Sequence, residues 1–333
     1  MKQRFVHFSK GVFSDLAVES TELLRAEAER EIPGVRVTEE SKDGIHVTRV
    51  TVLTPEAERL MQKPAGNYIT IEAPGLRKRN RDLQQQVGEV LASEVSALLR
   101  DQKFGFRFPE SFLVVGLGNW RATADSLGPK VISRLLVTRH LKQYVPSELT
   151  NQLRSVSAIA PGVLGLTGIE TGEIIRGIVE KTGPQAIVAI DSLSARSVDR
   201  IITTVQLADT GIHPGSGVGN KRVGLTFETL GVPVIAIGVP TVVHAVTIAD
   251  NTLEAVAERL EMHKELREAL EALQTEDRRH IIEEAVTERL GDLVVTPKEI
   301  DNYISDMAQL IAGALNVAFH PGIDTSEFTK YIE

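Results

Sequence analysis

FLVVGLGN (112–119), AIVAID (186–191) and VPVIAIGVP (232–240) decide the fold. Each is a short, almost unbroken apolar run rich in Val and Ile. Such runs suit strands buried on both faces, the usual state of a parallel sheet. Helix-period segments separate them: LGPKVISRLLVTRHL (127–141) and TGEIIRGIVEKTG (171–183), the latter closed by a Gly. The predicted fold is α/β, a mostly parallel sheet with helices on both faces. SVSAIAP (155–161) and DRIITTVQLAD (199–209) read as further strands.

Outward from this centre the pattern changes. IHVTRVTVL (45–53) and NYITIEA (67–73) are small additional strands on the amino-terminal side. RDLQQQVGEVLASEVSALL (81–99) carries Leu83, Val87, Val90, Leu91, Val95, Leu98 and Leu99 on one stripe, an amphipathic helix. TELLRAEAERE (21–31) predicts a short helix, and the rest of 1–44 is polar and mixed. Residues 251–292 are charged and helical and break the β–α rhythm, so they read as an appended helical insertion. PKEIDNYISDMAQLIAGALNVAF (297–319) is a final amphipathic helix.

Composition narrows the chemistry. The 333 residues include no Cys, which excludes thiol catalysis, disulfides, iron–sulfur clusters and Cys-bound zinc. Thirty-seven basic against 45 acidic residues gives −8, a poor balance for binding nucleic acid. The most apolar stretch, Val232 to Val243, is too short for a membrane span and holds Pro233 and Pro240. The chain therefore reads as cytoplasmic, with no membrane and no direct nucleic-acid partner. Its eight His are scattered, and no spaced ligand set is present, so no metal and no cofactor are expected.

The Gly-rich turns are ambiguous alone. Gly116-Leu117-Gly118-Asn119 follows a strand, as a dinucleotide site would, but Arg121 stands where the third small residue is required. Gly211 to Arg222 holds Gly215-Ser216-Gly217 and Lys221-Arg222, yet no phosphate-loop register passes through it. It is a surface loop or a substrate-contacting one. The carboxylates say more. Asp125 follows the first strand and its Gly turn, and Asp191 ends AIVAID. Carboxyl ends of parallel strands share one edge, where sites form. Each Asp also sits where a helix N-cap would.

Segments across 113–250 resemble the germination protease family of spore-forming bacteria: LVVGLGNWRATADSLGPKV, SAIAPGVLGLTGIET, AIVAIDSLSARSVDRIITTVQLADTGIHPGSGVGNKR and LGVPVIAIGVPTVV. VVTPKEIDNYISDMAQLIAGALN and SDLAVES extend the likeness toward both ends. The resemblance implies a fold like that of hydrogenase-maturation peptidases. It implies an endopeptidase acting on small acid-soluble spore proteins in the spore core, a homotetramer made as a self-processing zymogen. The family's two proposed catalytic aspartates fall on Asp125 and Asp191. Family cleavage after an acidic residue and before a hydrophobic one, then Ala, falls on Asp15 and Leu16. That divides the chain into a 1–15 propeptide and a 16–333 peptidase domain carrying the insertion at 251–292. Two adjacent carboxyls sharing one proton can activate water. Backbone N–H groups around Gly116, Gly118 and Asn119, or around Gly215, Ser216 and Gly217, are candidate oxyanion donors. Lys221, Arg222, Arg196 and Arg121 are candidates to meet an acidic residue before the cut. The competing readings are a metal-directed maturation peptidase, for which His244 is the obvious ligand, and a nucleotide-binding module.

Overall fold

The computed structural model describes residues 15–28, 32–101, 107–141, 153–213, 223–259, 275–291 and 293–322. In chain order the helices are α1 (Ala17–Ala28), α2 (Pro55–Met61), α3 (Arg81–Leu99), α4 (Leu127–Ile132), α5 (Leu164–Thr167), α6 (Thr171–Thr182), α7 (Phe227–Leu230), α8 (Ala245–Arg259), α9 (Thr275–Leu290) and α10 (Ile300–Phe319). The strands are β1 (Val35–Lys42), β2 (Ile45–Val52), β3 (Gly66–Glu72), β4 (Ser111–Gly116), β5 (Ser155–Ile159), β6 (Ala186–Ala195), β7 (Thr204–Ala208), β8 (Val234–His244) and β9 (Val294–Val295).

The nine strands among the described residues join one sheet in the order β1-β2-β3-β7-β8-β6-β4-β5, with β9 on β8. The half formed by β5, β4, β6 and β8 is parallel, as the buried apolar runs predict. The other half is antiparallel and larger than the small additions expected, because β1 and β7 extend it. β1 escapes a reading by hydropathy because it is an edge strand, mostly exposed, with the polar sequence VRVTEESK. The run 199–209 yields a strand only from Thr204. Before that, a 3₁₀ turn at Val198–Arg200 is capped by Ser197, whose Oγ accepts from Asp199 N–H, and Ile202 adopts φ 64°.

Helices cover both faces. On one, α3, α10 and α4 press Leu91, Val95, Ile304, Ile311, Leu315 and Val131 onto Val114, Val188, Ile237 and their neighbours. Phe319 of α10 stacks on Phe112 of β4 at 4.2 Å between ring centroids. On the opposite face two separate groups sit side by side. α1 and α2 cover Val50, Val52, Tyr68, Ala208 and Ala236. α6 and α7 cover Leu113, Val115, Ile187 and Ala189. The helix predicted over 127–141 stops at Ile132. The reason is tertiary: the Leu136 N–H donates to Asn316 Oδ1 of α10, and the N–H groups of Thr138 and Arg139 donate to Val156 O of β5.

Candidate functional site

The Gly-rich turn after β4 exists to bring two backbones together. A Cβ on Gly116 would lie 2.4 Å from Gly128 O, and one on Gly128 would lie 2.3 Å from Leu117 O. Gly118 has φ +107°, and a Cβ there would meet Asp125 O at 2.1 Å. The glycines thus let the end of β4 lie flush on the start of α4. The turn also fixes Asp125. Asn119 N–H donates to Asp125 O at 3.0 Å and to its Oδ2 at 2.8 Å. Asp125 ends a 3₁₀ turn, Thr123–Asp125, so it is not the N-cap of α4, whose cap position is Ser126.

Asp191 lies on β6, level with Gly116 and Leu117 at the carboxyl end of β4, and is 7% exposed. It is inside a strand that continues to Ala195, so the helix-cap alternative does not apply to it either. The structure brings the two aspartates together. Burial first, then the charge of Asp125, pushes the Asp191 carboxyl well above its ordinary value, and the Asp15 carboxylate adds to the push. The Ser192 N–H, donating to Asp191 Oδ1 at 2.9 Å, opposes it only in part. Burial and the neighbouring negative charge together favour a proton on Asp191.

The segment beginning at Asp15 is docked on this site. Pairing of β4 with β6 ends at Gly116 and Ile190, so the last residues of β6 run on past it. There Ser194 N–H donates to Asp15 Oδ2 at 3.0 Å, and Arg196 N–H donates to both Glu19 carboxylate oxygens at 3.0 Å. The spacing of two residues puts both N–H groups on one edge of the strand. Glu19 and Glu22 reach Arg200, at 3.2 and 2.6 Å, and Arg200 also bonds Glu72 at 2.9 Å. Between these anchors Leu16 and Ala17 are both 0% exposed.

Two residues that sequence reasoning missed hold the same segment. Asp191, Gly238 and Gln206 stand in register on β6, β8 and β7. They share the face that Ala189, Ala236 and Ala208 give to the α1/α2 and α6/α7 groups. Gln206 Nε2 donates to Asp15 O at 3.0 Å, and Gln206 Oε1 accepts from Ala17 N–H at 2.6 Å. Lys63 Nζ donates to Asp15 O at 2.8 Å. Burial pushes the Lys63 ammonium down, while the carboxylates of Asp15 and Glu19 push it back up. The sequence marks only the helix that leads to Lys63, not its contact with Asp15. Thr54-Pro55-Glu56 is a helix start, with Thr54 Oγ1 accepting from Ala57 N–H at 3.2 Å. The α2 it opens ends at Met61, and Gln62 turns the chain with φ 52°. Gln206, which with Thr204 is one of two polar residues in the strand TVQLA, carried no such signal.

The other candidates fall away from this centre or outside view. Gly215, Ser216, Gly217, Lys221 and Arg222 lie outside the described residues. The Leu117 and Asn119 N–H groups are spent on Ile190 O and on Asp125. Arg121 is exposed, its N–H donating to Asn119 Oδ1. His244 closes β8 opposite Val294. Among the described residues no three His, Asp or Glu are grouped to hold a metal, and no helix is long and apolar enough to cross a membrane.

A profile described as "Germination protease" matches residues 13–270 and 258–332. The germination protease of Caldanaerobacter subterraneus subsp. tengcongensis is 48% identical over 326 residues, covering 97% of this chain and 98% of that one. That of Clostridium acetobutylicum is 44% identical over 96% of this chain and 99% of its own. That of Bacillus thuringiensis subsp. konkukian is 44% identical over 96% of each. Among solved structures, a nickel–iron hydrogenase maturation protease from Thermococcus kodakarensis aligns with 63% of this chain and 95% of its own, at 16% identity and a TM-score of 0.30. A nearly full-length likeness at such identity leaves one conclusion: the chain belongs to the germination protease family and is a protease.

Proposed function

We propose that this protease hydrolyses its own Asp15–Leu16 bond and that the shortened chain is an endopeptidase for small acid-soluble spore proteins. In this reading residues 1–15 are a propeptide, 16–333 form the peptidase domain with a helical insertion at 251–292, and the working form is a homotetramer in the spore core. The observation that carries it is the docking of Asp15 beside the Asp125–Asp191 pair, with the next bond leading into buried Leu16.

The chemistry follows from one proton on two carboxyls. The ionised carboxylate takes a proton from water as its oxygen adds to the Asp15 carbonyl carbon. The tetrahedral adduct collapses, the C–N bond breaks, and the protonated carboxyl gives its proton to the Leu16 nitrogen. The products are the Asp15 carboxyl group and the Leu16 amine. The raised Asp191 carboxyl keeps the pair singly protonated to a higher pH than an exposed carboxylate would. Cutting therefore speeds up as the pH is lowered into mild acid and slows as the Asp191 proton is lost on the alkaline side. The charged groups acting on that proton are Asp125 and Asp15.

The test is intact-mass spectrometry of the full chain before and after a shift to mild acid, with a spore-protein digestion assay alongside. A new terminus at Leu16, gain of digestion with its appearance, and loss of both in Asp125→Asn and Asp191→Asn are expected, all unaffected by excess chelator. A fully active chain still starting at Met1 removes the zymogen reading, and activity restored only by added metal removes the two-aspartate one.

A further inference from the structure

The Asp15 carbonyl oxygen receives two side-chain donors from elements remote in sequence. One is the ammonium of Lys63, just past α2, at 2.8 Å. The other is the carboxamide of Gln206, on β7, at 3.0 Å. Neither donor belongs to a helix or strand ladder, and both distances suit a site built to hold an oxygen that gains charge. The orientation of Gln206 is fixed: its oxygen takes the Ala17 N–H at 2.6 Å, which leaves its nitrogen facing Asp15 O. The amide thus spans the Asp15–Leu16 bond, gripping the chain on either side of it.

We infer that Lys63 and Gln206 form the oxyanion site of this protease, stabilising the charge that develops on the Asp15 carbonyl oxygen when water adds to its carbon. The inference rests on the reading that Asp15–Leu16 is the bond cut. On addition, the carbonyl electron pair moves to the oxygen between the two donors, and on collapse it returns as the C–N bond breaks. No proton has to reach that oxygen, so the single proton of the Asp125–Asp191 pair stays available for the leaving nitrogen. A cationic donor next to a developing anion in a half-buried site is worth more than the same pair in solvent. Burial lowers the Lys63 ammonium on balance, and the Asp15 and Glu19 carboxylates oppose that in favour of its charged form. The assignment replaces the backbone donors of the two Gly-rich loops as the candidates for this role.

A rival account makes Lys63 and Gln206 a clamp that merely seats the segment, and kinetics with a docking readout separates the two. The full chain is compared with Lys63→Met, Lys63→Arg and Gln206→Met. The readouts are the first-order rate of cleavage at Asp15–Leu16 and the melting point. Docking is read from hydrogen exchange of the Ala17 and Ser194 amides, measured in the uncut Asp191→Asn background. Expected for Lys63→Met is a rate lowered on the order of 10²–10³-fold, with Ala17 and Ser194 still protected and part of the rate restored in Lys63→Arg. Gln206→Met is expected to lower the rate at least roughly tenfold while the Ser194 amide stays protected. Cleavage of Lys63→Met within a few-fold of wild type overturns the inference, as does loss of rate and of protection together. If Lys63→Met melts far below the wild type, the same criteria are applied to Gln206→Met. A wild-type chain that never cuts after Asp15 removes the proposed function and this inference with it. A wild-type chain whose cutting needs Asp191 but not Lys63 or Gln206 removes the inference alone.

Discussion

At the scale of residues, the site depends on groups held in states they would not choose in water. Asp191 is the clearest. Its folded-state pKa is raised, so above the ordinary carboxylate pKa of 3.8 the folded chain keeps a proton that the unfolded chain gives up. Stability therefore falls as the pH rises through that window. Asp191→Asn carries no such penalty. It is expected to abolish cutting while melting no lower than the wild type at pH 8, with its advantage shrinking toward pH 4. Thermal melts at the two pH values check this, and a variant clearly less stable at pH 8 contradicts the sign. Gly118 makes the complementary point about backbone. Gly118→Ala places a methyl against Asp125 O at a residue with φ +107°. A loss of about 1–3 kcal/mol is expected from the strain alone. Activity is expected to fall further than stability, because the atom displaced belongs to Asp125. Denaturant midpoints and cleavage rates measured on one preparation give both numbers. The aspartates stood out in the sequence because Asp125 follows a strand and its Gly turn and Asp191 ends the apolar run AIVAID, whereas Lys63 and Gln206 matter only through what the fold puts against them.

Among the elements, α1 is the one whose position carries function, since its first turn follows directly on the bond proposed to be cut. Its sequence is only weakly amphipathic. What seats it is a set of charged contacts: Glu19 and Glu22 on Arg200, and Glu19 on the Arg196 N–H. Glu19 is 2% exposed. Removing Arg200 takes a directly paired cation away from that buried carboxylate, a change that costs about 3 kcal/mol. Arg200→Met is thus expected to lower the urea midpoint and to expose 15–28 to limited proteolysis ahead of the β-sheet. Digestion fragments that appear first from elsewhere would argue against this role. The helix over 17–28 begins four residues earlier than its charged repeat suggests, because Ala17 N–H finds its acceptor on Gln206. In the same way α4 is cut short by Asn316 and Val156. Both boundaries were set by a distant side chain or strand and not by local propensity.

For the whole molecule, α10 links stability to pH through His320. The ring is 0% exposed, and its Nδ1 accepts the Arg154 N–H at 3.2 Å. Burial, with the Arg154 charge adding to it, pushes the imidazole down to about 4 from 6.5. The folded state then binds fewer protons than the unfolded one between these values. The stability it contributes is whole above about pH 6.5 and is lost as the pH falls through 4, at most about 3 kcal/mol. His320→Gln is expected to flatten the acid limb of the urea midpoint over that range, and an unchanged acid limb would show that other groups govern it. The sequence by itself determined the parallel half of the sheet, since buried strands must be apolar throughout and 112–116, 186–190 and 234–239 are. It also pointed to Asp125 and Asp191 as candidates, because carboxyl ends of parallel strands share one edge. Only the tertiary structure decided that the edge strand β1 exists, that α4 ends at Ile132, and that Lys63, Gln206 and Asp15 share one carbonyl oxygen. The last of these rests on side-chain contacts between segments up to 191 positions apart, and a contact of that kind leaves no period or local pattern in the sequence to read.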